Sequence, residues 1–330
     1  MYGAEFAPHV AAIRDRLPEL RVLIQVADGS GNELLPGAVD YESIISTPAP
    51  AAGMPTPTGD DLYILYTGGT TGMPKGVLWR QHDIFMSAMG GRPFGAEKSL
   101  ESYADLAEQA RTNAGFRSVL MIPPLMHGAA QWAAFNMFST GGWMVLPDDV
   151  DRLNAPPAVM KLAERERVLS IPVVGDAIAR PLLDEIETGK YDLSGLVTIT
   201  NGGGAPLSPT VRERLLAALP NLMVLDAVGA SETGMQMTTM AAKGVEQKAA
   251  TFTPQHDTAI ISTDFTHVLA PGEGEGWLAR RAYVPLGYLG DAEKSARTFP
   301  PPSTACAGRC PVTGPGSWKT ARSNCLAAIR

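Results

Sequence analysis

Short apolar runs alternate with longer stretches of helical period along most of this chain, and that alternation limits the fold more than any single residue does. Runs of strand character occupy 21–26, 62–66, 118–122, 143–146, 168–172, 196–200 and 222–225. Between them, 129–138, 156–167, 175–187 and 208–218 carry helical patterns. The last begins with Ser208 and Pro209, an N-cap side chain with proline in the first turn. Strands separated by helices indicate an α/β domain with a largely parallel sheet, whose ligands lie beyond the carboxyl ends of the strands. No internal repeat and no heptad pattern interrupts this order.

Composition narrows the class further. Hydrophobic residues make up 45% and charged residues 18% of 330, enough for a sizeable core and far from a disordered chain. A net charge of -7 argues against a nucleic-acid surface, which is usually basic. No apolar run approaches the roughly 18–20 residues that span a bilayer. The first ten residues lack the basic start and apolar stretch of a secretory signal, so a cytoplasmic address is expected. Cys306, Cys310 and Cys325 are the only thiols, too few for a disulfide framework and without histidines at zinc spacing. The proline- and alanine-rich stretch 47–59 reads as a surface connector.

The run at 62–66 leads into Thr67-Gly-Gly-Thr-Thr-Gly-Met-Pro-Lys-Gly76. Glycines at 68, 69 and 72 let the backbone approach a ligand and permit positive φ. Successive N–H groups of such a loop form an anion nest, and the hydroxyls of Thr67, Thr70 and Thr71 add donors. Lys75 supplies a full positive charge for a phosphate. It is followed by glycine, where a Walker loop requires Ser or Thr for magnesium. A flexible turn between two strands is the plain alternative.

Two further loops follow strand candidates. Asn201-Gly-Gly-Gly-Ala-Pro206 precedes the capped helix; it either lets a flat ligand lie against the backbone or makes a tight strand-to-helix turn. Asp226-Ala-Val-Gly-Ala-Ser-Glu-Thr-Gly234 is placed at the end of the run at 222–225. Earlier, Pro123-Pro-Leu-Met-His-Gly128 sets His127 beside an apolar helix, where a packed core histidine is the ordinary reading.

The segment YTGGTTGMPKGV resembles the phosphate-loop signature of the adenylate-forming superfamily, which includes acyl-CoA synthetases, luciferases and peptide-synthetase adenylation domains. Gly68 stands where serine is usual, a variant similar to that of actinobacterial fatty-acyl and steroid-side-chain CoA ligases, and VLWRQHDIF resembles the same group. The resemblance implies that Thr67, Gly68, Gly69, Thr70, Thr71, Gly72 and Lys75 cradle the ATP phosphates. It implies that Gly203, Gly204 and Ala205 hold adenine and ribose, and that His127 lines the acyl pocket. The segment 226–234 is similar to the family's Tyr-Gly-x-Thr-Glu motif, with Val228 for the aromatic residue and Ser231 for threonine. Glu232 then holds Mg2+, a hard cation suited to carboxylate and phosphate oxygens. Gly229 lies in the same nucleotide motif, Ser231 reaches the α-phosphate, and Asp226 either accepts from the adenine amino group or caps a helix. The stretch 280–299 resembles the family segment of Gly-Tyr followed by Thr-x-x-x-Phe, with Ser295 for threonine, and is expected to be structural.

The implied fold is a partial large amino-terminal domain, layered sheets with flanking helices, over residues 1–299. The resemblance begins inside that domain, and the small carboxyl-terminal domain with its adenylation lysine is expected to be absent. Residues 300–330 follow neither period and are expected to be an aberrant, frameshifted tail. The implied reaction activates a fatty or steroid side-chain carboxylic acid as acyl-AMP and transfers it to CoA, impaired by the missing parts. An inactive remnant that at most binds nucleotide, and a sister enzyme loading another acceptor, are the alternatives.

Overall fold

The computed structural model describes residues 1–48, 53, 55–68, 73–93, 96, 98–147, 155–245, 252–264, 266–270, 272–299 and the backbone of 319–320. The rest of the 300–330 tail, and the expectation attached to it, lie outside the described residues. The chain divides into two compact units, Met1–Pro57 and Thr58–Arg330, and the division falls inside the proline-rich connector. Among the described residues no helix is long and apolar enough to cross a membrane.

The first unit holds a small parallel sheet of β1 (Tyr2–Gly3), β2 (Leu23–Val26) and β3 (Ala38–Asp40), with β2 central, and two short helices, α1 (Ala7–Ile13) and α2 (Tyr41–Ile45). Gln25 is buried in the middle strand and fully engaged. It accepts from Tyr2 Oη at 2.8 Å and the Leu35 N–H at 3.2 Å, and donates to the Glu33 carbonyl at 3.1 Å. Such satisfaction is what makes a buried amide tolerable. Asp40 caps α2 by accepting from the Ser43 N–H.

The second unit opens with an antiparallel hairpin, β4 (Leu62–Thr67) and β5 (Lys75–Arg80), followed by α3 (Gln81–Ala88) and α4 (Tyr103–Asn113). Then come β6 (Ser118–Leu120), α5 (Gly128–Ser139), β7 (Trp143–Val145), α6 (Pro156–Arg165), β8 (Ser170–Val173), α7 (Gly175–Ile186), β9 (Thr198–Asn201), α8 (Pro209–Ala218) and β10 (Met223–Ala230). β11 (Gly234–Ala242) and β12 (Thr253–Pro254) complete a seven-stranded sheet in the order β12-β11-β10-β9-β8-β6-β7. Five neighbouring strands, β10 to β7, run parallel; β11 and β12 are antiparallel. Met160, Leu183 and Leu215 from α6, α7 and α8 join Leu120, Ile171, Ile199 and Val224 of the sheet in one buried core. The Ser208 cap forms as expected, accepting from the Val211 N–H at 3.3 Å.

Two smaller antiparallel sheets complete the unit. β13 (Thr258–Ser262) pairs with β14 (Gly276–Arg280), joined by β16 (Lys319–Thr320). β15 (Gly287–Tyr288) adds to the free edge of β5, and α9 (Ala292–Thr298) follows it.

Candidate nucleotide site

The glycine–threonine segment closes the β4–β5 hairpin, with Thr67 directly opposite Lys75. It therefore joins two antiparallel strands instead of opening a helix. Pairing of the flanking strands sets Thr67 and Lys75 side by side at the base of the loop. Thr67 and Lys75 are half-buried and Gly68 is exposed. Gly69, Thr70, Thr71 and Gly72 lie outside the described residues.

The segment 226–234 departs from its expected place at a strand end. β10 continues to Ala230, so Asp226, Val228 and Gly229 are strand residues. The cause is a change of partner. Parallel β9 ends at Asn201 opposite Asp226, but antiparallel β11 carries the pairing on to Ala230 and Gly234, with an irregularity between Val228 and Gly229. Ser231, Glu232 and Thr233 form the hairpin tip, closed by the Thr233 N–H donating to the Ala230 carbonyl at 3.0 Å.

Three side chains tie this tip to the β15-β5-β4 sheet and its surroundings. Tyr288 Oη donates to Glu232 Oε1 at 2.8 Å. The fully buried Trp79 of β5 donates from Nε1 to the Ser231 carbonyl at 3.0 Å. Arg280 donates from one terminal nitrogen to the Thr233 and Met235 carbonyls, at 2.9 and 3.0 Å. Burial holds the Arg280 guanidinium down at about 10, against the pull of Asp257, which also pairs with Arg92 at 2.7 Å. Burial, and then the Glu232 carboxylate, push the Tyr288 hydroxyl well above the usual phenol range, so it stays a proton donor. Lys75 Nζ lies 6.0 Å from the Tyr288 ring centroid, so the expected phosphate lysine and the expected metal carboxylate meet around one tyrosine.

Asp226 sits in a different setting. Its Oδ1 accepts from Asn201 Nδ2 at 2.8 Å and its Oδ2 from the Arg212 guanidinium at 2.7 Å. It caps no helix, since it stands inside β10. Asn201 also accepts from the Gly175 N–H and donates to the Ala205 carbonyl, which fixes the neighbouring glycine loop at both ends. Gly203 and Gly204 take φ of +78° and +84°, the left-handed region open to glycine at little cost. The loop is thus a tight turn, and Gly204 has open space where a side chain would stand, the room a flat ligand needs.

His127 is the residue before α5 and is exposed, which removes the packed-core alternative for it. Its neighbour Gly128 is buried against β4: a Cβ there would stand 2.4 Å from Leu65 Cδ2. Tyr63 donates to Gln131, and Trp79 meets Trp132 edge-on at 6.4 Å. The helix that follows His127 therefore supports the strand entering the phosphate loop.

Among the described residues no group of three or more His, Cys, Asp or Glu gathers as a metal cage. Magnesium needs only one or two carboxylates when phosphates supply further oxygens. Glu232, half-exposed with one oxygen engaged by Tyr288, matches such a ligand. Arg280 and Tyr288 lie in the stretch 280–299, expected above to be structural, and Trp79 lies in VLWRQHDIF, which carries a resemblance but no role; the sequence does not show that the three converge on the 231–233 tip.

Comparison with known proteins bears on the family and the fold. The profile of the family described as AMP-binding enzyme matches residues 3–289. A "Medium-chain acyl-CoA ligase Mig" of Mycobacterium avium is 51% identical over 305 residues, covering 91% of this chain and 54% of that protein. A "3-oxocholest-4-en-26-oate--CoA ligase" of Rhodococcus rhodochrous is 33% identical, with the same shares of 91% and 54%. The chain spans about half the length of the curated relatives it matches. Among solved structures, a putative long-chain-fatty-acid CoA ligase of Rhodopseudomonas palustris superposes with a TM-score of 0.64 at 18% identity, covering 96% of this chain and 68% of that one. A nonribosomal peptide synthetase, FmoA3 in its AMPPNP-bound form, gives 0.62 at 20%, covering 94% and 31%. At these identities the two structures speak for the fold alone.

Proposed function

The chain belongs to the AMP-binding enzyme family, and from that premise we propose that it carries the nucleotide-handling part of an acyl-CoA synthetase. In this reading a carboxylate attacks the α-phosphate of ATP, pyrophosphate leaves, and the CoA thiol displaces AMP from the acyl-adenylate. No protein nucleophile takes part: the residues align the reactants and stabilise phosphoryl charge.

The observation that carries the proposal is the meeting of Lys75 and Glu232 around Tyr288, from two loops far apart in sequence. Lys75, with Thr67 and the loop between them, binds the β- and γ-phosphates. Glu232 holds Mg2+, which neutralises phosphate charge when bound, and Tyr288 orients the carboxylate. Gly203, Gly204 and Ala205 receive the adenosine part, Val228 and Gly229 flank it along β10, and Ser231 stands near the α-phosphate. Asp226 acts through the Asn201 network, since both its oxygens are engaged by protein. His127 lies on the acyl side. The acid is a medium- or long-chain fatty acid or a steroid side-chain acid, supported by the names of the relatives above.

The test is acid-dependent exchange of radiolabelled pyrophosphate into ATP by the 330-residue chain, followed by a search for the CoA thioester. Exchange with thioester supports the full reading, and exchange without thioester points to another acceptor. No exchange with any acid would leave a nucleotide-binding chain without this activity.

A further inference from the structure

Two ammonium groups share one aromatic ring beside Glu232. Lys75 Nζ lies 6.0 Å and Lys294 Nζ 5.5 Å from the Tyr288 ring centroid. They come from separate elements: Lys75 opens β5, and Lys294 stands in the first turn of α9, where its N–H donates to the Asp291 cap at 2.9 Å. A single ammonium over a ring is a favourable pair. The second is not, because like charges at this range repel. The Lys75 side chain beside it, then partial burial, hold Lys294 below the ordinary lysine range. Asp291 and Glu232 pull the other way without restoring it. Two cations held together against their own repulsion are matched by a multiply charged anion lying on both.

We propose that Lys294 is a second phosphate-binding residue, which with Lys75 grips the outer phosphates of a nucleoside triphosphate and the inorganic pyrophosphate it releases. Glu232, which accepts from the Tyr288 hydroxyl, would hold the Mg2+ that accompanies the same polyphosphate. This rests on the reading of the site as an adenylating centre, but the ligand is a polyphosphate whatever the acyl acceptor. The 330-residue chain is titrated calorimetrically with pyrophosphate in excess magnesium at low salt. Lys294→Ala weakens binding about tenfold, and Lys294→Arg stays within about threefold of the parent. Arg297→Ala removes an equal charge one turn on, from a side chain paired to Glu293 at 2.8 Å, and leaves binding unchanged. Between pH 7 and 9.5 the parent loses affinity faster than Lys294→Arg, because a lysine with a lowered pKa sheds its proton early while a guanidinium does not.

Full-strength binding by Lys294→Ala, or equal weakening by Lys294→Ala and Arg297→Ala, overturns the assignment. Loss of pyrophosphate affinity in Lys294→Ala while no acid supports exchange keeps the lysine pair and removes the acyl reading. Exchange activity together with unaltered affinity in Lys294→Ala does the reverse.

Discussion

Asp226 and Glu232 lie on one hairpin, six positions apart, and meet opposite fates. Asp226 is buried, and each of its oxygens already receives a strong donor, from Asn201 and Arg212. Glu232 is half-exposed at the turn and receives one neutral donor from Tyr288. A carboxylate saturated by its own protein has little left to offer a ligand; one held by a single neutral hydroxyl is oriented and still able to bind a cation. Sequence spacing makes the two look alike. The contrast comes from where β9 stops: Asp226 is opposite its last residue, and Glu232 lies beyond it.

The sharpest way to break the comparison is to remove each carboxylate. Glu232→Ala should cut acid-dependent pyrophosphate exchange by about a hundredfold or more while lowering stability by only about 1 kcal/mol, the worth of the lost Tyr288 hydrogen bond. Surviving exchange would sink its metal role. Asp226→Ala should act the other way round, lowering stability by about 2–3 kcal/mol in urea melts, because Arg212 and Asn201 lose their partner. The double variant with Arg212→Ala should cost less than the sum, and strict additivity would dismiss the network.

Gly128→Ala tests a third kind of dependence, pure packing under the phosphate loop. The clash with Leu65 should cost about 1–3 kcal/mol, partly recovered by Leu65→Ala. A variant as stable as the parent would mean α5 does not press on β4. The smallest effect is expected from Tyr288→Phe, which should weaken magnesium pyrophosphate by about 1 kcal/mol. Burial and Glu232 raise the Tyr288 pKa above its ordinary 10.0, so its contribution to stability is complete below that value. It is lost only as pH climbs through the raised value. The melting difference between parent and Tyr288→Phe should therefore be flat from pH 6 to about 9; a slope there would contradict the protonated hydroxyl.

Much of the parallel sheet was legible because its signals are local. The helices at 175–187 and 208–218 declare themselves by period and, for the second, by Ser208 and Pro209. α4 was missed although Ser102 and Asp105 form a cap at its start. None of its residues is buried, so it carries little apolar period to detect. β11, GMQMTTMAA, lacks clean alternation because Gln236 and Thr238 are themselves buried polar residues. Within the site, the loop glycines and Lys75 were readable as phosphate-binding types. The bonds that assemble it, Tyr288 to Glu232 and Trp79 to Ser231, join segments with no local pattern in common. Tyr288 arrives through β15, paired to β5, the strand that carries Trp79.

The Trp79 indole has a consequence of its own. It is sealed from water, and its single N–H points at the carbonyl next to Glu232. An indole's emission responds to the polarity and hydrogen bonding around it. If a ligand at Glu232 shifts the Ser231 carbonyl, Trp79 is the side chain placed to register it, and its emission is expected to change with that one hydrogen bond.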